Sequence, residues 1–322
     1  MARPDDLLAQ ERKVREASGG RMRIRLFFAR LLTYRSWPSV SWLLFVTSWL
    51  QVCACAGPPQ APAPELRQEA VALNEAGYLY YRQGKWRLAR EKFRQALHLN
   101  RLIDHRAGIA ANLNNLGVLA QEHKDFKEAQ TCFQEALELH RQLGEPAGIC
   151  EALNNLGTLS QARGNWAEAY RFFREAHHFA ALLPPGPLLS LTLTHLGDVA
   201  RHEQDYARAL ALYQQALGID LESKDWPGRA VRWERLGRLY LALGDFSQAH
   251  YYLLQALEEA RRLEYTQTIT DALDGLVRLA LVQKDQASAQ AYGNRLIELY
   301  KVRGQMEEGQ KVQALIKGEG GG

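Results

Sequence analysis

Small and bulky apolar positions return along this chain with a constant period. Gly77, Gly117, Gly157, Gly197 and Gly237 stand 40 residues apart. Twelve residues after each glycine comes alanine (Ala89, Ala129, Ala169, Ala209, Ala249), and nineteen after it alanine again (Ala96, Ala136, Ala176, Ala216, Ala256). Sixteen positions on stand Phe93, Phe133, Phe173, Tyr213 and Leu253, and nine positions on stand Trp86, Phe126, Trp166, Tyr206 and Phe246. Glycine or alanine lets two helices approach closely, and a bulky ring one turn away fills the space beside the contact. Each period therefore predicts a helical hairpin, with its turn at Gln83–Trp86, Arg163–Trp166 or Leu243–Phe246, where glycine and a polar residue end one helix and begin the next. Units repeated at a fixed period of this length stack into a solenoid, so the expected class is all-α.

Leu-Gly, an aromatic, Ala, Phe and Ala at these spacings resemble the tetratricopeptide repeat family. The resemblance runs from Glu65 to Arg303 and is to a subgroup with a 40-residue period carrying Ala-Leu-Asn-Asn-Leu-Gly, seen at Ala152–Gly157 and nearly so at Ala111–Gly117. It implies a right-handed α-solenoid of about six helix-turn-helix units over residues 69–304. The sixth unit is degenerate: Val277 replaces the glycine, while Ala280 and Ala289 keep their columns. Residues 305–322 are expected to hold a short capping helix, Met306–Ile316, and a flexible glycine tail from Gly318.

Ahead of the repeats the pattern changes. Between Met22 and Pro64 there is no Asp or Glu, and Arg23, Arg25, Arg30 and Arg35 precede an apolar run from Val40 to Ala56. Positive residues followed by a short apolar stretch describe an export signal, expected over 22–54. Residues 1–21 carry Asp5, Asp6, Glu11 and Glu16 where positive charge is wanted, which points to Met22 as an alternative start. Ala54-Cys55 at the end of the run, before a proline-rich tether ending at residue 68, resembles the box of bacterial lipoproteins and implies Cys55 as the lipid attachment site. Ala54-Cys55-Ala56 also fits ordinary signal cleavage, and an uncleaved anchor is the third alternative.

Setting the signal aside changes the reading of charge. Residues 1–64 hold nine Lys and Arg against four Asp and Glu, leaving 31 basic and 32 acidic residues downstream. The basic character of the whole chain therefore lies in its N-terminal segment and gives no support for nucleic-acid binding, which calls for basic residues clustered on the folded domain. Cys132 and Cys150 are expected as free thiols, with a bridge between them the alternative.

The chain has no phosphate-cradling glycine loop and no His-Glu-x-x-His pair. His177 and His178 diverge around a helix, and His195 and His202 stand seven apart, so neither pair chelates a metal unaided. No enzyme, metal or cofactor is expected.

A stacked helical array makes an extended concave surface. In the resembled family the first helix of each unit lines that groove, through positions near the glycine. The implied partner-binding residues are Asn74, Tyr78, Tyr81, Asn114, Gln121, Asn154, Gln161, Asp198, Arg201 and Arg238, with Arg82, Glu122, Thr158, His202 and Glu234 beside them. Asn74, Asn114 and Asn154 form a ladder of amides able to donate to and accept from a peptide backbone, or to cap and solvate helix ends. Arg229, Arg232, Arg235 and Arg238 recur every three residues, either as a surface for an anionic partner or as a solvated face beside Glu234. The expected function is a protein-interaction scaffold, tethered in the cell envelope and facing the periplasm from the outer membrane. A cytoplasmic signalling adaptor held by an uncleaved anchor is the alternative.

Overall fold

The computed structural model describes residues 64–318. The expected signal, Cys55, most of the tether and the last four glycine-rich residues lie outside them.

Among the described residues there are thirteen α-helices and no strand. They are α1 (Pro64–Arg82), α2 (Trp86–Leu102), α3 (Arg106–Glu122), α4 (Phe126–Leu143), α5 (Pro146–Ala162), α6 (Trp166–Ala180), α7 (Pro187–His202), α8 (Tyr206–Ser223), α9 (Trp226–Leu243), α10 (Phe246–Arg262), α11 (Thr266–Val282), α12 (Gln286–Val302) and α13 (Met306–Lys317). Six hairpins, α1–α2 through α11–α12, follow one another, and α13 covers the last. Helix α1 begins at Pro64, so residues 64–68, expected as tether, are already helical. Proline in the first turn needs no hydrogen-bond donor there, and Glu65 suits the positive end of the helix dipole.

The odd-numbered helices α3, α5, α7, α9 and α11 touch one another in sequence, while each even-numbered helix packs on the odd helix before and after it. The result is an inner layer of first helices and an outer layer of second helices. The glycine column sets the spacing inside each hairpin. A Cβ at Gly157 would stand 2.3 Å from Phe173, and at Gly117, Gly197 and Gly237 it would stand 2.5–2.6 Å from Phe133, Tyr213 and Leu253. Those four large side chains and both alanine columns are fully buried. Each large side chain so enclosed contributes about 1.5–3 kcal/mol.

The sixth hairpin keeps the contact and exchanges its members. Val277 stands in the glycine column and Gly293 stands sixteen residues later, where the ring belongs. A Cβ on Gly293 would lie 2.0 Å from Ile316 of α13 and 3.8 Å from Val277. The capping helix thus supplies the bulk that this hairpin omits.

The turns keep a period of their own. A residue with positive φ recurs every twenty positions, at Gly84, Asp104, Lys124, Gly144 and Gly164, then at Gln204, Lys224, Gly244, Glu264, Lys284 and Gly304. The glycines expected at three turns, Gly84, Gly164 and Gly244, hold this conformation, while six of the other positions are not glycine. The exception is the longer link Ala181–Gly186, which contains Pro184 and Pro185. Asp125, Asp205, Asp225, Asp245 and Asp285 cap the helices that follow by accepting from the backbone N–H three residues on.

Candidate functional site

The residues expected to line the groove fall into three groups. Tyr78 and Tyr81 lie at the end of α1, where the coil meets itself. The Arg82 guanidinium is 6.0 Å from the ring of Tyr265, the residue that leads into α11. Unit one therefore reaches the edge of the later units. Burial, then Glu122 and Tyr78 nearby, push the Tyr81 phenol up to about 12. Burial and Tyr78 raise that of Tyr265. The sequence carried no signal for this contact, because it joins residues some 180 apart.

The second group is the asparagine ladder. Asn114 is 6% exposed and Asn154 2%, so both are enclosed where successive inner helices pack. This corrects the expectation of an amide ladder facing a bound segment: successive inner helices pack on one another and close over the column three residues before each glycine. The Asn154 amide donates to Thr192 Oγ1 at 2.9 Å, and Cys150 lies within the same polar knot. Asn74 accepts from Asn112 at 2.8 Å and from Asn115 at 2.8 Å, tying α1 to α3. Asn112 in turn accepts from Asn100, which meets His105. Gly108 leaves the room that Asn100 fills, and Gly148 does the same for His140, whose ring nitrogen meets Glu145 at 2.9 Å.

The third group is ionic. Asp198, 3% exposed, accepts from Tyr213 Oη at 2.7 Å and pairs with Arg235 at 3.2 Å. Glu234 pairs with Arg235 at 2.7 Å and with Arg238, which also reaches Asp274 at 3.3 Å. Asp198 and Glu234 hold the Arg235 guanidinium above its ordinary range. Burial, with Glu234 beside it, pushes Asp271 up to about 6. The arginine stripe is thus neither a solvated face nor a free anionic-partner surface. Arg229 is clasped between Trp226 and Trp233, 4.5 Å from each ring, and pairs with Glu259 at 3.0 Å. Arg232 pairs with the wholly buried Asp220 at 3.1 Å.

Tyr78, Tyr81, Gln121, Gln161, Arg201 and Arg238 keep accessible surface. Thr158 is half-buried, its hydroxyl donating to the Asn155 carbonyl. Of the histidines, His195 is stacked on Phe173 at 4.7 Å, where burial lowers it to about 4, and His202 stacks on Trp166 at 4.0 Å. These rings pack the array. Cys132 and Cys150 are free thiols, as expected, and burial raises both. No group of three His, Cys, Asp or Glu suited to a metal occurs among the described residues.

Comparison with protein families matches a tetratricopeptide repeat model at residues 68–142, 148–222 and 188–262. No curated protein matches the chain. Among solved structures, the apo form of RapI is similar over 73% of this chain and 84% of its own, with TM-score 0.59 and 15% identity. A Rap protein complexed with competence and sporulation factor is similar over 78% and 74%, with TM-score 0.58 and 14% identity. Aspartyl phosphate phosphatase F from Bacillus subtilis is similar over 98% and 88%, with TM-score 0.53 and 15% identity. At such identities these likenesses establish the fold.

Proposed function

Because this chain belongs to the tetratricopeptide repeat family, we propose that it is a non-catalytic adaptor that holds a partner protein on its inner layer and is tethered to a membrane of the cell envelope through Cys55. The fold supplies a protein-interaction scaffold. The observation that supports the binding role is the set of polar side chains left accessible on the inner helices, Gln121, Gln161 and Arg201, beside an Arg238 held in ion pairs. The structure of a Rap protein with competence and sporulation factor supports a ligand-holding role for an array of this kind. Among the described residues no helix is long and apolar enough to cross a membrane. The tether reading rests on the apolar run and the Ala54-Cys55 boundary.

Placing a photo-crosslinking residue at Gln121 or Gln161 of the full chain in cells tests the binding role. The expected result is one protein adduct, weakened at least tenfold by Tyr81→Ala and absent when the probe replaces the outward-facing Tyr251. Adducts of equal yield from Tyr251, or none from either inner position, would contradict the reading.

A further inference from the structure

The six outer helices are built on one pattern, so each serves as a control for the others, and α2 departs from the rest. Arg87, Arg90, Arg94 and Arg101 fall on its outer side at spacings of three, four and seven, with only Glu91 among them. The columns of Arg87, Arg90 and Arg94 hold Lys127, Gln130 and Gln134 in α4, Ala167, Tyr170 and Arg174 in α6, and mostly neutral residues in the later units. No other unit has more than one basic residue at these three positions.

At the N-terminal end of the stripe, Lys85 and Arg87 do not stabilise the helix, whereas Arg101 in the last turn suits the dipole. Positive residues in a first turn oppose the helix dipole, and α2 has no acidic residue in its first turn. The N-cap column holds a capping aspartate in α4, α8, α10 and α12 and Asn165, without a side-chain cap bond, in α6, but a cation, Lys85, only in α2 among these six helices. Intramolecular neutralisation is partial. Arg90 and Arg94 share Glu128 at 3.7 and 3.6 Å, and Arg101 meets Glu135 at 3.5 Å, while Arg87 and Lys85 stay exposed. Leu88 and Leu102, 41% and 62% exposed, flank the stripe.

We propose that this face of the first unit, centred on Lys85, Arg87, Arg90 and Arg94, docks on anionic lipid headgroups. It rests on the membrane tether of the proposed function. Helix α1 begins nine residues after Cys55, a span of at most about 30 Å when extended, so the tether would hold this unit nearest the bilayer. Clustered Lys and Arg beside a membrane attachment are drawn to an anionic leaflet, and exposed leucines among them enter the headgroup boundary. Docking on this outer side leaves the inner helices free for a protein partner.

The test uses the full chain bound to vesicles and follows acetylation of individual lysines by mass spectrometry. With phosphatidylglycerol vesicles Lys85 should react at least fivefold more slowly than with phosphatidylcholine, and recover in 0.5 M salt, since screening shortens the attraction. Lys284, the exposed turn residue of the last unit, should react equally throughout. Arg87→Glu with Arg94→Glu should abolish the protection without preventing flotation of the protein with the vesicles. Flotation with unprotected Lys85 overturns the docking face and leaves the tether standing, as does protection that survives the double substitution. A chain that floats with neither lipid overturns both. Protection of Lys85 only when another protein is added assigns the face to an acidic protein instead.

Discussion

The two halves of the array share one apolar frame and differ in their polar interior, because among the described residues only the second encloses a network of ion pairs. In the first three units the enclosed polar groups are mainly neutral: Asn74, Asn100, Asn112 and Asn115 hydrogen-bond to one another. In the last three, enclosed hydroxyls such as Ser190, Thr194 and Thr270 are joined by enclosed ions, Asp198, Asp220, Arg232, Glu234 and Glu259, paired mostly across helices. The apolar frame brings each helix to its neighbour, and in the first five units it is built alike, so it does not tell those units apart. The polar pairs differ from junction to junction, so each helix finds its complement at only one place. Near-identical units are thereby kept in order, and the two halves should answer differently to substitution and to pH.

The largest contrast is expected when one member of a pair is removed. Arg232→Met leaves Asp220 buried and uncompensated and should lower unfolding free energy by about 3–5 kcal/mol. Asn112→Ala in the amide half should cost only about 1–3 kcal/mol. Denaturant midpoints of the two variants measure the difference, and equal losses would erase the distinction. Adding Asp220→Leu to Arg232→Met should restore most of the loss.

The apolar frame itself can be broken next. Gly157→Val drives a side chain into Phe173 and should cost about 1–3 kcal/mol, as overpacking does. At the exchanged hairpin, Val277→Gly alone should open a cavity costing a similar amount. Loss of order confined to α12 and α13, seen by hydrogen exchange, would confirm that α13 belongs to that seam.

Acid should separate the halves further. Asp271 has its folded value raised to about 6. Its contribution to stability is therefore fully present below its unfolded value near 4 and lost as pH rises through about 6. His195 has its folded value lowered to about 4. Its contribution is present above about 6.5 and lost as pH falls toward 4. Asp271→Asn should therefore gain on the parent as pH rises from 4 to 8, and His195→Gln should flatten the decline below pH 6.5. Thermal midpoints across that range, with Asn112→Ala keeping the parent slope, distinguish the effects.

The smallest expected change lies in the turns. Lys224 holds φ +57 where five of the turns have glycine, and Lys224→Gly should stabilise by up to about 1 kcal/mol, the relief of left-handed strain offset by chain entropy. A lower thermal midpoint would mean that the lysine makes up its strain through contacts.

The repeat frame was legible because steric complementarity is local in sequence: Gly117 and Phe133, sixteen residues apart, name each other's size. The capping helix was expected because a terminal repeat otherwise leaves one face to solvent. The exchange of Val277 and Gly293 read only as degeneracy, since its explanation lies in Ile316, beyond the repeat. The site was less legible. The columns of Asn114, Asn154 and Asp198 were identified, but their burial depends on how closely neighbouring inner helices approach. The meeting of Arg82 with Tyr265 follows from the accumulated rotation of intervening units, which no residue pair encodes. The stripe Arg229–Arg238 could not be resolved for a similar reason: its partners, Asp198, Asp220, Glu259 and Asp274, lie on four other helices.

The tethered-adaptor role proposed for this array is tested by the intact mass of the mature protein extracted from membranes. A chain beginning at Cys55 and carrying a diacylglycerol or triacyl adduct, lost in Cys55→Ala, is the predicted result. An unmodified chain that retains residues 40–56, or a lipid-free chain beginning near Gly57, would contradict it.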